Sequence, residues 1–110
     1  MPSPARIRST IATIAAPPED LLHAAIVHKA LADTTRLRMI ARLAEEPATV
    51  SDLIELVDLS QPLVSWHLRR LRAAGLVETR RSGREVICSL SEGTLERFHE
   101  RELALLGLAS

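Results

Sequence analysis

The feature that most constrains this chain is a change of hydrophobic period at Gly75. Before it, Val64, His67, Leu68 and Leu71 recur at i, i+3, i+4 and i+7, the spacing of one helix face. After it the pattern alternates through Leu76, Val77, Thr79 and Arg81, turns at Ser82-Gly83, and returns through Val86, Cys88 and Leu90. That is the signature of a β-hairpin. The helix carries its own punctuation. Ser60 is an N-cap residue type, Gln61 and Pro62 fall in the first turn where a missing N–H costs little, and Gly75 stands where a helix end often requires a left-handed residue. A helix from about Gln61 to Ala74, followed by a hairpin, is expected.

Upstream, "ATVSDLIELVDLS" places Leu53, Ile54 and Val57 on one stripe behind a capping arrangement of Thr49 and Asp52, and an Asp58-Leu59 turn leads to Ser60. Two short helices joined by a tight turn, the second running into a hairpin, make a winged helix-turn-helix. A further helix is expected from Glu19, through Leu21, Leu22, Ala25, Ile26 and Leu31. Asp33 caps the next, "TTRLRMIARLAEE", with Leu37, Ile40 and Leu43 inward and Arg36, Arg38 and Arg42 outward. A last helix over about Thr94 to Leu108 carries Leu95, Phe98, Leu105 and Leu106. The expected fold class is mainly α (α+β), with about five helices and a two-stranded wing in one domain over residues 19–110. Residues 1–18, punctuated by four prolines, read as an N-terminal arm or short helix.

With 110 residues and only Phe98 and Trp66 as aromatics, the core must be built from Leu, Ile, Val and Ala, and dimerisation would help so small a domain. Cys88 is the single cysteine, so one chain can form neither a disulfide nor a Cys-x-x-Cys site, which suits a reducing cytoplasm. The apolar run after Arg6 and Arg8 is short and broken by Ser and Thr, and no segment is long enough to cross a bilayer. A cytoplasmic, soluble protein without membrane contact is expected.

The zero net charge conceals an uneven distribution. Between Ser60 and Glu85 six arginines face two glutamates, an excess of four positive charges that the rest of the chain balances. The inward stripe of the Gln61 helix leaves Gln61, Pro62, Ser65, Trp66, Arg69, Arg70 and Arg72 outside. These are the chemistries of a double-stranded DNA reader. Gln61 can pair with adenine, Ser65 can bond either base type, and Trp66 can lie against sugar or a thymine methyl. Arg69, Arg70 and Arg72 suit phosphates, and Arg81 and Arg84 on the hairpin suit backbone or minor groove. The bland alternative is a solvated arginine face balanced by nearby acids. DNA binding is favoured because basic residues, turn, glycine and hairpin agree in order and spacing.

"ALADTTRLRMIARL", "SQPLVSWHLRRLRAAGLV" and the wing "RRSGREVICSL" resemble the ArsR/SmtB family of small winged-helix repressors over about residues 25 to 90. The resemblance implies a homodimer built from the first and last helices. It further implies a pseudo-palindromic operator and repression relieved by an inducer. Many members sense metals, but the third-helix Cys-x-Cys-type motif is here Val50, Ser51, Asp52, and the last-helix Asp and His positions hold Glu92 and Thr94.

The remaining metal candidates are His99 with Glu96 and Glu100 at helical spacing, and His23 and His28 on the first helix, which could converge across a dimer. Imidazole with carboxylate suits nickel, cobalt or zinc, although such a histidine is more often a solvated salt-bridge partner. A non-metal signal or a corepressor protein are the other routes to regulation. His67 reads as a packed, hydrogen-bonded histidine and Cys88 as a buried strand residue. With no Gly-rich phosphate loop, nucleophile–base pair or complete metal triad, an enzyme is not expected. The other rival is a winged-helix interaction module without DNA binding, whose mark would be loss of the polar and basic residues on the Gln61 helix.

Overall fold

The computed structural model describes residues 18–108, so nearly all of the expected N-terminal arm lies outside the described residues. Among the described residues five helices and three strands follow in the order α1 (Pro18–Leu31), α2 (Thr34–Glu45), β1 (Ala48–Thr49), α3 (Val50–Val57), α4 (Gln61–Ala73), β2 (Val77–Ser82), β3 (Glu85–Leu90) and α5 (Thr94–Leu105). This is the expected winged helix-turn-helix.

Local chemistry sets the boundaries. The Asp33 side chain accepts the Arg36 N–H at 3.0 Å to start α2. Thr49 and Asp52 exchange two bonds of 3.0 Å in a full capping box at the start of α3. Glycine ends two helices in the same way. Beyond α4, Gly75 takes φ +75° while the Leu76 N–H reaches back to the Leu71 carbonyl at 3.0 Å and the Gly75 N–H to that of Arg72 at 2.9 Å. Beyond α5, Gly107 repeats the arrangement, which stops that helix at Leu105 rather than at the expected Leu108.

The sheet is antiparallel with order β1-β3-β2. The alternation predicts two strands. The third is the two-residue β1, where Ala48 pairs with Cys88 and Thr49 with Ile87. Two residues are too few to show alternation, so no periodic signal could reveal them. In the hairpin, Val77, Thr79 and Arg81 stand opposite Leu90, Cys88 and Val86, and Gly83 gives the two-residue loop its positive φ of 62°.

One core joins these elements through Val27, Met39, Leu43, Leu53, Leu71 and Cys88, with aliphatic residues of α4 and the strands around them. The expected α2 face is corrected by about one position. Met39 is fully buried and Arg36 is only 7% exposed, whereas Leu37, expected inside, is 47% exposed. The true stripe is Arg36, Met39, Ile40 and Leu43, which has the same i, i+3, i+4, i+7 spacing but begins with a cation. Burial of that cation has a specific cause at the end of α1.

Candidate nucleic-acid interface

α3 and α4 meet at Asp58, which adopts the left-handed conformation at φ 54° and donates its N–H to the Ile54 carbonyl. Aspartate tolerates this conformation better than most residues. Ser60 then caps α4 by accepting the Leu63 N–H at 3.4 Å, which frees Gln61 and Pro62 to begin the helix in the open.

Val64, His67, Leu68 and Leu71 are the buried face of α4, as the spacing predicts. The outer face divides into two. Gln61, Ser65, Arg69 and Arg72 line a cleft of about 400 Å³ with Val50, Ser51 and Ile54 of α3 on one side and Thr79, Arg84 and Val86 of the wing on the other. Ser65 is half-buried there and Gln61, Arg69, Arg72 and Arg84 are exposed. Glu85 is the single acid in this lining, against three arginines. Arg81 shares the sheet face of Thr79 and Val86 and is exposed.

Trp66 and Arg70 stand elsewhere. They border a separate hollow against α1, with Ile26, Lys29 and Ala30. The Trp66 ring lies 5.1 Å from the Arg70 guanidinium carbon and 5.5 Å from that of Arg36, cation–π distances that hold the indole toward α1. Pro62 is exposed in the first turn. The nine residues singled out from the sequence therefore form a cleft group of Gln61, Ser65, Arg69, Arg72 and Arg84, a flanking pair of Trp66 and Arg70, and the outlying Pro62 and Arg81.

Beneath α4 lies the group that sequence reasoning missed. Arg36 Nε donates to the Ala30 carbonyl at 2.7 Å, Nη2 to the Lys29 carbonyl at 3.1 Å and Nη1 to His67 Nδ1 at 3.0 Å. One guanidinium thus satisfies carbonyls in the last turn of α1, where a cation also suits the helix dipole, and ties them to α4. Because arginine has no acceptor, His67 must accept at Nδ1 and carry its proton at Nε2. Burial pushes the His67 imidazole below its ordinary range, the Asp33 carboxylate opposes this, and Arg36 adds to it. The neutral ring is the form that fits. The signal for Arg36 is its place on the Met39 and Leu43 stripe, which the general preference of arginine for the surface masks.

The cleft combines a glutamine and a hydroxyl, groups suited to base edges, with guanidinium groups suited to phosphates. Cys88 is fully buried, and burial raises its thiol pKa, as expected of an inert strand residue. The metal candidates are scattered. His28 contacts the Glu102 carboxylate, His23 and His28 stand edge-on to Phe98, and Glu96, His99 and Glu100 are exposed on α5. Among the described residues no three His, Cys, Asp or Glu side chains come together to hold a metal ion.

A model of bacterial regulatory proteins of the arsR family matches residues 33–79, from the cap of α2 into the wing. The transcriptional repressor SmtB of Mycobacterium tuberculosis is 42% identical over 79 residues, covering 71% of this chain and 58% of the repressor, so the chain spans little more than half of that relative. An ArsR-like transcriptional regulator from a Rhodococcus species superposes with a TM-score of 0.69 at 30% identity, covering 79% of this chain and 81% of that one. A homodimeric winged helix-turn-helix DNA-binding domain from Mycobacterium bovis gives 0.66 at 28% identity, covering 76% and 78%.

Proposed function

This chain belongs to the ArsR family of bacterial transcriptional regulators, and on that premise we propose that it is a homodimeric repressor that binds a pseudo-palindromic DNA operator and is tuned by an effector. The observation that carries this reading is the cleft in which Gln61, Ser65, Arg69 and Arg72 of α4 meet Thr79 and Arg84 of the wing. α4 enters the major groove, Gln61 and Ser65 read bases, and Arg69, Arg72 and Arg84 hold phosphates. Arg70 and Trp66 reach the flanking backbone from the α1 side, Pro62 meets the groove wall, and Arg81 extends the phosphate contacts along the wing. The function is regulation rather than catalysis, and it is exercised in the cytoplasm.

The dimer follows from what α5 leaves undone. None of its residues is buried, and Leu103 and Leu106 are exposed, as are Leu21, Leu22 and Ile26 on α1. A helix that fully buries none of its residues, and packs on its own core through the half-buried Phe98, has little else to hold it in place. Packing these faces against a second copy supplies the missing burial, in line with the homodimeric mycobacterial domain of similar fold.

A transition metal, nickel, zinc or cobalt, is a second effector reading. Its support is the His28–Glu102 contact between α1 and α5, an imidazole and a carboxylate already side by side. Two donors do not close a site, so this reading requires His23 or His99 of a second copy to complete it. A corepressor protein is the remaining route.

The test is fluorescence anisotropy of the purified protein on DNA from upstream of its own gene and on random DNA, with chelator and with added nickel or zinc. Specific DNA is expected to bind at least a thousandfold more tightly than random DNA, the lower end for specific readers. Equal affinity for both would overturn the reading. A metal-induced change of tenfold or more would make the metal the effector.

A further inference from the structure

A cavity of about 540 Å³ opens between the C-terminal end of α2, the root of the wing and the start of α5. Small-molecule sites occupy about 300–1,000 Å³, so it has room for a compact organic ligand. Leu43, Leu76, Leu90 and Leu95 give it an apolar floor. Glu45, Glu46, Glu92 and Glu96 stand exposed around it, and no lysine, arginine or histidine lines it.

The negative charge is largely uncompensated. Arg42 approaches the Glu46 carboxylate at 3.8 Å. Arg97 turns instead to the Glu92 carbonyl at 3.2 Å and the Thr94 hydroxyl at 3.3 Å. Among the described residues Glu45, Glu92 and Glu96 have no ion-pair partner. An oily floor under an unpaired acidic mouth is complementary to a molecule with an apolar body and a fixed positive charge, and complementary to no anion.

We propose that this cavity binds lipophilic organic cations and that such a cation is the effector of the chain, an inference that rests on the regulatory reading above. The cavity reaches the joint that orients the DNA-binding elements. Leu76 in its floor closes α4 through its N–H to the Leu71 carbonyl at 3.0 Å, and its own carbonyl accepts the Ser91 N–H at 2.9 Å where the wing hands over to α5. An occupant therefore touches the end of α2, the wing and the start of α5 together, meets the residue that closes α4 in Leu76, and can favour one arrangement of these elements over another.

The experiment uses tetraphenylphosphonium and its isosteric anion tetraphenylborate, titrated calorimetrically into the 110-residue chain. The expected result is one saturable phosphonium site per protomer with a dissociation constant on the order of tens of micromolar, the range for a ligand of this size. The double variant Glu92→Gln, Glu96→Gln, altered only at exposed positions, is expected to weaken phosphonium binding at least about fivefold with an unchanged circular dichroism spectrum. Equal binding of the two ions, phosphonium binding indifferent to the double variant, or none because a second copy covers the cavity would each overturn the proposal.

Anisotropy on upstream DNA, with and without phosphonium, separates this proposal from the one on which it rests. A saturating phosphonium concentration is expected to change DNA affinity threefold or more. Phosphonium bound with DNA affinity unchanged overturns the effector role. Phosphonium bound by a protein that prefers no DNA sequence overturns the regulatory reading and leaves the cation site standing.

Discussion

α4 and α5 are of nearly equal length, 13 and 12 residues, yet α4 buries four side chains in its own protomer and α5 buries none. α4 is fixed from below by Val64, Leu68 and Leu71 and by the Arg36–His67 bond, so its outer face can be left to polar and cationic groups. α5 is tied to α1 by Phe98 edge-on to His23 and His28, the Arg101–Asp20 ion pair at 2.9 Å and the His28–Glu102 contact. The ion pairs each have one exposed partner and contribute little, and Phe98 is only half-buried against the core. One helix is complete within the protomer; the other is left for a second chain to complete in the proposed dimer. A reader of DNA needs the first property to hold its contacts in register and the second to place two such helices on one operator.

Substitutions beneath α4 give the largest effects. Leu71→Ala, at a position with no exposure, is expected to destabilise the fold by about 2–5 kcal/mol in urea denaturation. Leu103→Ala on α5, 36% exposed, should cost under about 1 kcal/mol in the monomer, because little burial is lost. Similar losses at the two sites would erase the distinction.

Arg36→Ala comes next, at about 3 kcal/mol, since it strands the Lys29 and Ala30 carbonyls and the His67 acceptor together. Near-neutral behaviour would mean that α4 is not held from α1. On the other side of the comparison, Leu22→Glu with Leu103→Glu should shift sedimentation from dimer to monomer while far-ultraviolet dichroism persists. Loss of secondary structure with loss of the dimer would show that the protomer core is not self-sufficient.

The smallest effect is on pH dependence. His67 titrates below its ordinary value in the folded state, because burial disfavours its charged form. The unfolded chain therefore binds more protons, so this contribution to stability is fully present above about pH 6.5 and is lost as pH falls below it. Urea midpoints at pH 7.5 and 5.5 should fall less in His67→Gln than in the parent. Identical falls would remove His67 from the linkage.

The elements were legible because their signals are local and redundant: Ser60, Pro62 and Gly75 frame α4 while Val64, His67, Leu68 and Leu71 set its phase. What was hidden depended on partners distant in sequence. β1 exists through its pairing with Cys88 and Ile87, some 40 residues away. Arg36 is buried because carbonyls six and seven residues upstream and an imidazole 31 residues downstream are ready to receive it. Trp66 could be placed outside from its spacing, but its turn toward α1 depends on Arg36 and Arg70. The cleft group was visible as a list of residue types and became a site only when the wing brought Thr79 and Arg84 to α4.

The most direct measurement is the salt dependence of affinity for upstream DNA in the parent, Arg69→Ala and Gln61→Ala. Arg69→Ala is expected to weaken binding to specific and random DNA alike and to flatten the slope of log affinity against log salt by about 1. Gln61→Ala should leave the slope unchanged and relax preference at one base position. Unchanged slopes in both variants, or equal losses on specific and random DNA in both, would contradict a recognition helix that reads bases at its start and holds phosphates further along.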